Sequence, residues 1–483
     1  MTAPRLKFLE KLMSMLRRVG IASGVVVLLL AIAAAALAYA FFHTFYPTPP
    51  EPHYPPAADA AEAQRQDLDY FRRYLDLNRS YTPAAREQAS HLLAENTAKA
   101  GTFTPAQFDL AVSRMVALAD NGHSRVNPGP RSRRYGRLPC RFYRFADGFH
   151  VLRARPACAE LLGARLLTID GRPVDEVADG MYAYFGGPRN HYDQFAAVFF
   201  LEAPALLQAA GLANAPDRLD LRLALADGSE REVTLAADPA DEKAPRAYSD
   251  SYLSPQRLEG ESADWASLLQ ADSELPLFLR DYATPFRTEA LPDGIYYVQL
   301  RSNDDEPGHP LGAFIEHVRS EIAARKPSAI VLDLRLDQGG NFTKTASLMK
   351  DLATLTPSIR HVYALTSAWT FSAGNVSLAL LKTHGAGKVT VIGEPVGDRV
   401  RIYAEGGTLT LPNSKVSMGF ATGLHDYRRS CAGEPDCFWI MRFFPTQVES
   451  FAPDVPVAYR YEDYAQRRDP LLDAAIALAA RRD

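Results

Sequence analysis

Residues 363–375 read YALTSAWTFSAGN, and residues 376–385 continue as VSLALLKTHG. The first part is apolar, β-branched and aromatic as far as Trp369, which is the pattern of a buried strand. Small residues around Ser372 then lead into a helix-like run from Val376 to Thr383. A strand, a tight junction and a helix are the repeating element of an α/β fold. A serine at such a junction sits where the free N–H groups of the first helical turn face charge developing on an attacked carbonyl. The same position suits an ordinary helix N-cap, so the rest of the chain has to decide between cap and nucleophile.

Working outward, the strand GIYYVQL (294–300), the amphipathic helix LGAFIEHVRSEIAARK (311–326) and the compact strand AIVLDLRL (329–336) precede this stretch. The helix TKTASLMKDLATL (343–355) and the strands HVYAL (361–365) and VTVIG (389–393) repeat the alternation. This predicts an α/β domain over 291–483, with further strands over 406–412 and 415–420 and a closing helix in DPLLDAAIALAARR (469–482). Asp337-Gln338-Gly339-Gly340-Asn341 follows one of these strands at its carboxyl end, where open α/β sheets place ligand groups. Two glycines there let a backbone N–H turn toward a cleft.

With 483 residues, 47% hydrophobic and 23% charged, the chain can bury a large core in more than one domain. Its formal charge of −4 gives no argument for a nucleic-acid partner. The segment 1–18 is basic on balance, and the uncharged run 19–42 is long enough to cross a bilayer as a helix. The positive flank predicts a single-pass inner-membrane anchor with everything after it on the periplasmic or exterior side. Ala38-Tyr39-Ala40 has the small-x-small form of a cleavage site, so a cleaved signal is the alternative. The proline-rich stretch 43–59 reads as a stiff spacer.

Residues 60–136 turn helical, and two of the segments open with Thr-Pro, an N-cap followed by proline at the first helical position. The last helix stops at Asn121-Gly122, which leaves His123 on the following turn as a candidate general base. From 137 to 240 the pattern is β-rich: hairpins turn at Asp147-Gly148 and Asp227-Gly228, and Thr168–Val177 reads as a strand, turn and helix. The segment 241–290 connects this module to the α/β domain. Four cysteines suit an exported location, and nearest-neighbour pairing gives Cys140–Cys158 and Cys431–Cys437. None lies in a metal-like grouping.

Six motifs in this order resemble the tail-specific, or carboxyl-terminal-processing, serine peptidases, the family that includes the core of tricorn protease. They are DNGHSRV (120–126), TIDGRPVDEV (168–177), VLDLRLDQGGN (331–341), TFSAGN (370–375), VTVIGEPVGDR (389–399) and VESFAPDVPV (448–457). The resemblance covers roughly residues 67–480. It implies a crotonase-like layering of the mixed-sheet α/β core, a PDZ-like identity for the β-rich module, and a serine nucleophile. One branch of the family uses a lysine after the Gly-Glu-x-x-Gly segment, where this chain has Gly397-Asp398-Arg399. An arginine does not release its proton, and Lys382 and Lys388 fall elsewhere, so the chain resembles the serine–histidine branch.

The resemblance therefore implies Ser372 as nucleophile, His123 as base, and the Gly340 and Ala373 N–H groups as oxyanion donors. Glu449 is the preferred third member, with Asp436 the alternative, Glu434 behind it, and Glu394 in a structural or substrate-contacting role. Asp337-Gln338 replaces the family's usual Asn-x, and Asn375 stands where the lysine branch has glutamate. The excursion from Met181 to Asn214 exceeds a minimal PDZ unit. The expected function is a serine peptidase acting on exported protein or peptide substrates, with no cofactor or metal. The alternatives are a non-catalytic peptide-binding protein and an acyl hydrolase acting on ester or cell-wall substrates. Oligomeric state is not legible.

Overall fold

A computed structural model describes residues 3–241, 249–258, 261–270, 274–352, 354–429 and 431–481. Parts of the expected 241–290 connector, Ala353 in the expected 343–355 helix, and both chain ends lie outside the described residues. The chain forms two compact units, 1–48 and 49–483. The first is one helix, Ala3–Phe45. Its segment Ser23–Phe45 has a mean hydropathy of 2.7, long and apolar enough for a membrane span or a signal sequence alike.

The second unit opens with the helices Ala60–Leu77, Pro83–Ala98 and Pro105–Ala117. Asp59, Thr82 and Thr104 cap them, and Thr104 with Gln107 forms a capping box. Their apolar faces do not close on one another alone. Leu68, Phe71, Phe108 and Met115 share one core with Leu409, Met418 and Phe420, from an antiparallel ribbon of Gly407–Thr410 and Ser417–Phe420. Val126 adds a bridge to Met418. The helical region that carries His123 is thereby packed against residues that follow Ser372 in the chain.

The β-rich region is a seven-stranded sheet. Its main path runs Cys140–Phe145, Gly148–Ala154, Arg165–Ile169, Arg218–Ala224 and Glu230–Ala236, all antiparallel. The excursion after Met181 folds into the helices Arg189–Ala196 and Pro204–Ala209 joined by a π-helical turn, Ala197–Leu201. Phe195, Phe199 and Phe200 sink into the same core as the sheet. Of the two expected disulfides, Cys431–Cys437 is present. Cys140 and Cys158 are both buried free thiols, and the Cys158 thiol donates instead to the Pro139 carbonyl at 2.9 Å.

A six-stranded sheet holds the remaining core. Its four central strands, Ile295–Leu300, Ala329–Asp333, His361–Thr366 and Val389–Gly393, are parallel neighbours. Phe286–Leu291 adds an antiparallel edge and Val455–Pro456 a short parallel one, so the sheet is mixed. Tyr297, Val331, Tyr363 and Leu365 pack on the terminal helix Pro470–Ala480. Asp469, which caps that helix, also takes both Nη atoms of buried Arg335. The strand expected to run to Trp369 ends at Thr366. There Thr370 Oγ1 donates to Leu334 O and accepts from Ser367 N–H, turning the chain out of the sheet.

Candidate active site

The helix after that turn is Ala373–His384, three residues longer at its start than the sequence pattern suggests. Ser372 is its N-cap residue, with φ +52° and ψ −120°. An L-residue in that region carries strain of about 1–3 kcal/mol, which persists only where surrounding structure imposes it. Its side chain makes no capping bond, so the ordinary N-cap role is unfilled. The imposing structure is the glycine loop. Gly339 has φ +117°, and a Cβ there would stand 2.7 Å from Ser372 Cβ and 3.1 Å from both Ser372 Oγ and Ala373 N. Only glycine allows this approach.

Below the loop, Asp337 is fully buried and is the anchor. Its carboxylate accepts from Asn303 Nδ2 at 2.8 Å and from Gly339 N–H at 3.0 Å, and its carbonyl accepts Phe371 N–H at 2.9 Å. Asn303 Oδ1 in turn accepts from Thr345 and Ser377. Burial still pushes Asp337 up to about 7. Since Asp337 takes the Gly339 N–H, that group is not an oxyanion donor. Gly340 has φ +126° and lies against Asn303 and Asp304. In the helix's first turn, Gly374 N–H bonds Phe371 O and Asn375 N–H bonds Ser372 O.

His123 sits on the turn after the Pro105–Ala117 helix, with its N–H bonded to Asn121 Oδ1 at 2.8 Å. Its ring stacks on Phe371, the residue before Ser372, with centroids 4.5 Å apart. The structure thus brings the expected base to the neighbourhood of the expected nucleophile. Neither imidazole nitrogen has a hydrogen-bond partner among the described residues. Burial, then the nearby Arg125 and His425, push the imidazole down to about 3, so it is neutral.

The carboxylate beside His123 is Asp398, with Oδ2 3.5 Å from Nδ1. Burial pushes this carboxyl up to about 7. Arg399 next to it bonds both the carbonyl and the carboxylate of Asp120. Arg399 thereby ties this segment to the turn that carries His123. Glu449 is exposed. Asp436 is engaged by Arg79 at 3.1 Å, and Glu434 by Arg401. The Glu394 carboxylate accepts the Tyr459 N–H at 3.3 Å, and burial raises its pKa. Lys382 and Lys388 donate to the carbonyls of Ser450 and Ile359.

Three groups near the site escaped the sequence reading. Asp398 lies within VTVIGEPVGDR (389–399), where no local pattern marks an acid for this place. His191, in the Met181–Asn214 excursion, stacks on Phe371 with ring centroids 4.3 Å apart. His425, on the strand Gly423–Asp426, has Nε2 3.2 Å from Glu405 Oε1 and its ring against Phe342, just past the glycine loop. No local pattern marks His425, because its place follows from how the C-terminal ribbons fold back. Among the described residues, no group of three or more His, Cys, Asp or Glu is placed to hold a metal ion.

No protein-family model and no curated protein matches the chain. Solved structures do match its fold. A CPAF mutant aligns with a TM-score of 0.56 at 11% identity, covering 87% of this chain and 98% of that one. Mature CPAF complexed with lactacystin aligns at 0.53 and 12% identity, with the same coverages. The photosystem II D1 C-terminal processing protease aligns at 0.38 and 14%, covering 82% and 93%, a looser similarity. The chain therefore has the CPAF fold over most of its length.

Proposed function

We propose that this chain is a serine peptidase of the tail-specific kind, acting on protein or peptide substrates. One observation carries the reading. Ser372 is held at φ +52° on a helix start, with Gly339 pressed against its Cβ and with Phe371, its chain neighbour, stacked on His123. Strain of this kind concentrates at nucleophiles that must stand clear of the backbone.

In the proposed reaction His123 takes the Ser372 hydroxyl proton as Oγ attacks the peptide carbonyl. Asp398, on the Nδ1 side, holds the imidazole and leaves Nε2 for the serine. The Ala373 and Gly340 N–H groups receive the oxyanion. His123 then gives its proton to the leaving amine, and water repeats the sequence on the acyl-enzyme to release the acid. The imidazole must tilt to meet Oγ, because in the resting arrangement it hydrogen-bonds none of the described residues. Asp398 is preferred over Glu449, which is exposed, and over Asp436, which is committed to Arg79.

The same proposal includes the finer architecture. The 60–136 helical region, a PDZ-like module over 137–240 and a crotonase-like core over 291–483 are supported by the element order and the CPAF-like fold. The apolar helix supports anchoring at an inner membrane with the peptidase on the exported side. The test is labelling with a fluorophosphonate probe. Wild-type protein is expected to take one adduct at Ser372, and Ser372→Ala none. Folded wild type that takes no label would sink the peptidase reading and favour a non-catalytic peptide-binding protein.

A further inference from the structure

We infer that His191 is a positioning residue of the candidate site, holding Phe371, and through Phe371 the ring of His123, beside Ser372. Its meaning for catalysis rests on the peptidase reading, but its geometry does not.

His191 belongs to the excursion that lengthens the β-rich region, and two glycines bring that excursion to the site. Gly186 has φ +77° and Gly187 φ +75°. A Cβ at Gly186 would stand 2.7 Å from Ala117 O, and one at Gly187 2.9 Å from Gly122 N, the residue before His123. Side chains would push the excursion off the histidine turn. Asn190 then donates to Pro395 O and Val396 O at 3.0 and 2.9 Å, tying the same helix to the segment that leads to Asp398. The excursion therefore touches the base-bearing turn and the acid-bearing loop at once.

The His191 side chain joins them to the serine segment. It is 1% exposed. Nδ1 lies 3.0 Å from Ala368 O, which can only accept, so Nδ1 carries the hydrogen. Nε2 lies 3.0 Å from Arg125 Nη1, which can only donate, so Nε2 supplies a lone pair. Together the two contacts select one neutral tautomer. The ring lies parallel to Phe371, with centroids 4.3 Å apart and planes at 7°. His123 stacks on the same phenyl ring at 4.5 Å and 25°. Two near-parallel rings at such distances cannot share one face, so Phe371 is held between them. Among the described residues the His123 side chain makes no hydrogen bond, so this stack is a main constraint on its ring.

Two variants separate positioning from mere packing. His191→Phe keeps a ring against Phe371 and removes both hydrogen bonds. His191→Asn keeps a donor near Nδ1 and removes the stack. The full-length protein would be treated with a fluorophosphonate probe, with the rate of Ser372 adduct formation measured per folded molecule alongside the thermal midpoint. The expected result is a rate loss of about tenfold or more in His191→Asn and a smaller loss in His191→Phe. Wild-type rates per folded molecule in both variants would overturn the inference, whatever the thermal midpoint does. Should wild type itself take no label, the peptidase reading fails separately, and the imidazole signals of His123 in NMR decide. Their displacement in His191→Asn supports positioning, and unchanged signals overturn it.

Discussion

Asp337, under the serine loop, and Asp398, beside His123, are both almost fully buried carboxylates that burial pushes up to about 7. Their surroundings differ. Asp337 receives an asparagine amide on both oxygens and a glycine N–H, and the network continues through Asn303 to Thr345 and Ser377. Asp398 receives only the Arg399 N–H on Oδ1 at 2.9 Å, and Oδ2 has no hydrogen-bond partner among the described residues. A satisfied buried network rigidifies what it holds. A buried acceptor left open costs about 1–3 kcal/mol and signals a group awaiting a partner. The Ser372 side of the candidate site is thus prearranged within one domain's sheet. The base side retains hydrogen-bonding capacity that substrate or a small tilt of the imidazole can use.

The contrast breaks most visibly at the base itself. His123→Ala should slow Ser372 labelling by about 10³-fold or more, as loss of a triad histidine does. A loss below tenfold would mean that another group takes the proton.

Gly339→Ala strikes the prearranged side. The added methyl would meet Ser372 Cβ at 2.7 Å, at a φ of +117° that alanine rarely adopts. The expected loss is about 10²-fold in labelling, since an ångström of misplacement costs that much, with lowered stability. Normal labelling by this variant would show that the loop is not what holds Ser372.

The smallest effects distinguish the acids. Asp398→Asn should reduce labelling by less than His123→Ala does, while Glu449→Gln stays close to wild type. The reverse order would restore Glu449 as the third member. Stability provides a second reading of Asp398. Its folded pKa, about 7, lies above the unfolded value of about 3.8, so the wild type carries no penalty from it below pH 4. Stability is lost as pH rises toward 7 and levels off above it. Asp398→Asn should therefore be stabilised relative to wild type at pH 8, by at most about 4 kcal/mol, and show no such gain at pH 4. Denaturant unfolding at the two pH values measures the difference.

Much of this was legible in the sequence because it is local. Period-two and period-3.6 patterns, Thr-Pro helix starts and the apolar N-terminal run each depend on neighbours within a few residues, and the corresponding elements formed. The motifs around Ser372, Gly339 and His123 also marked residues that the fold gathers near Phe371 and the glycine loop. Tertiary structure alone decided which groups would share that place. His123 and His191 lie far in the chain from Asp398, Glu405 and His425, and their proximity follows from closing one core around the N-terminal helices and a C-terminal ribbon. Burial then set their chemistry, because desolvation holds His123 neutral and raises the Asp398 carboxyl, and neither shift is encoded by residue type.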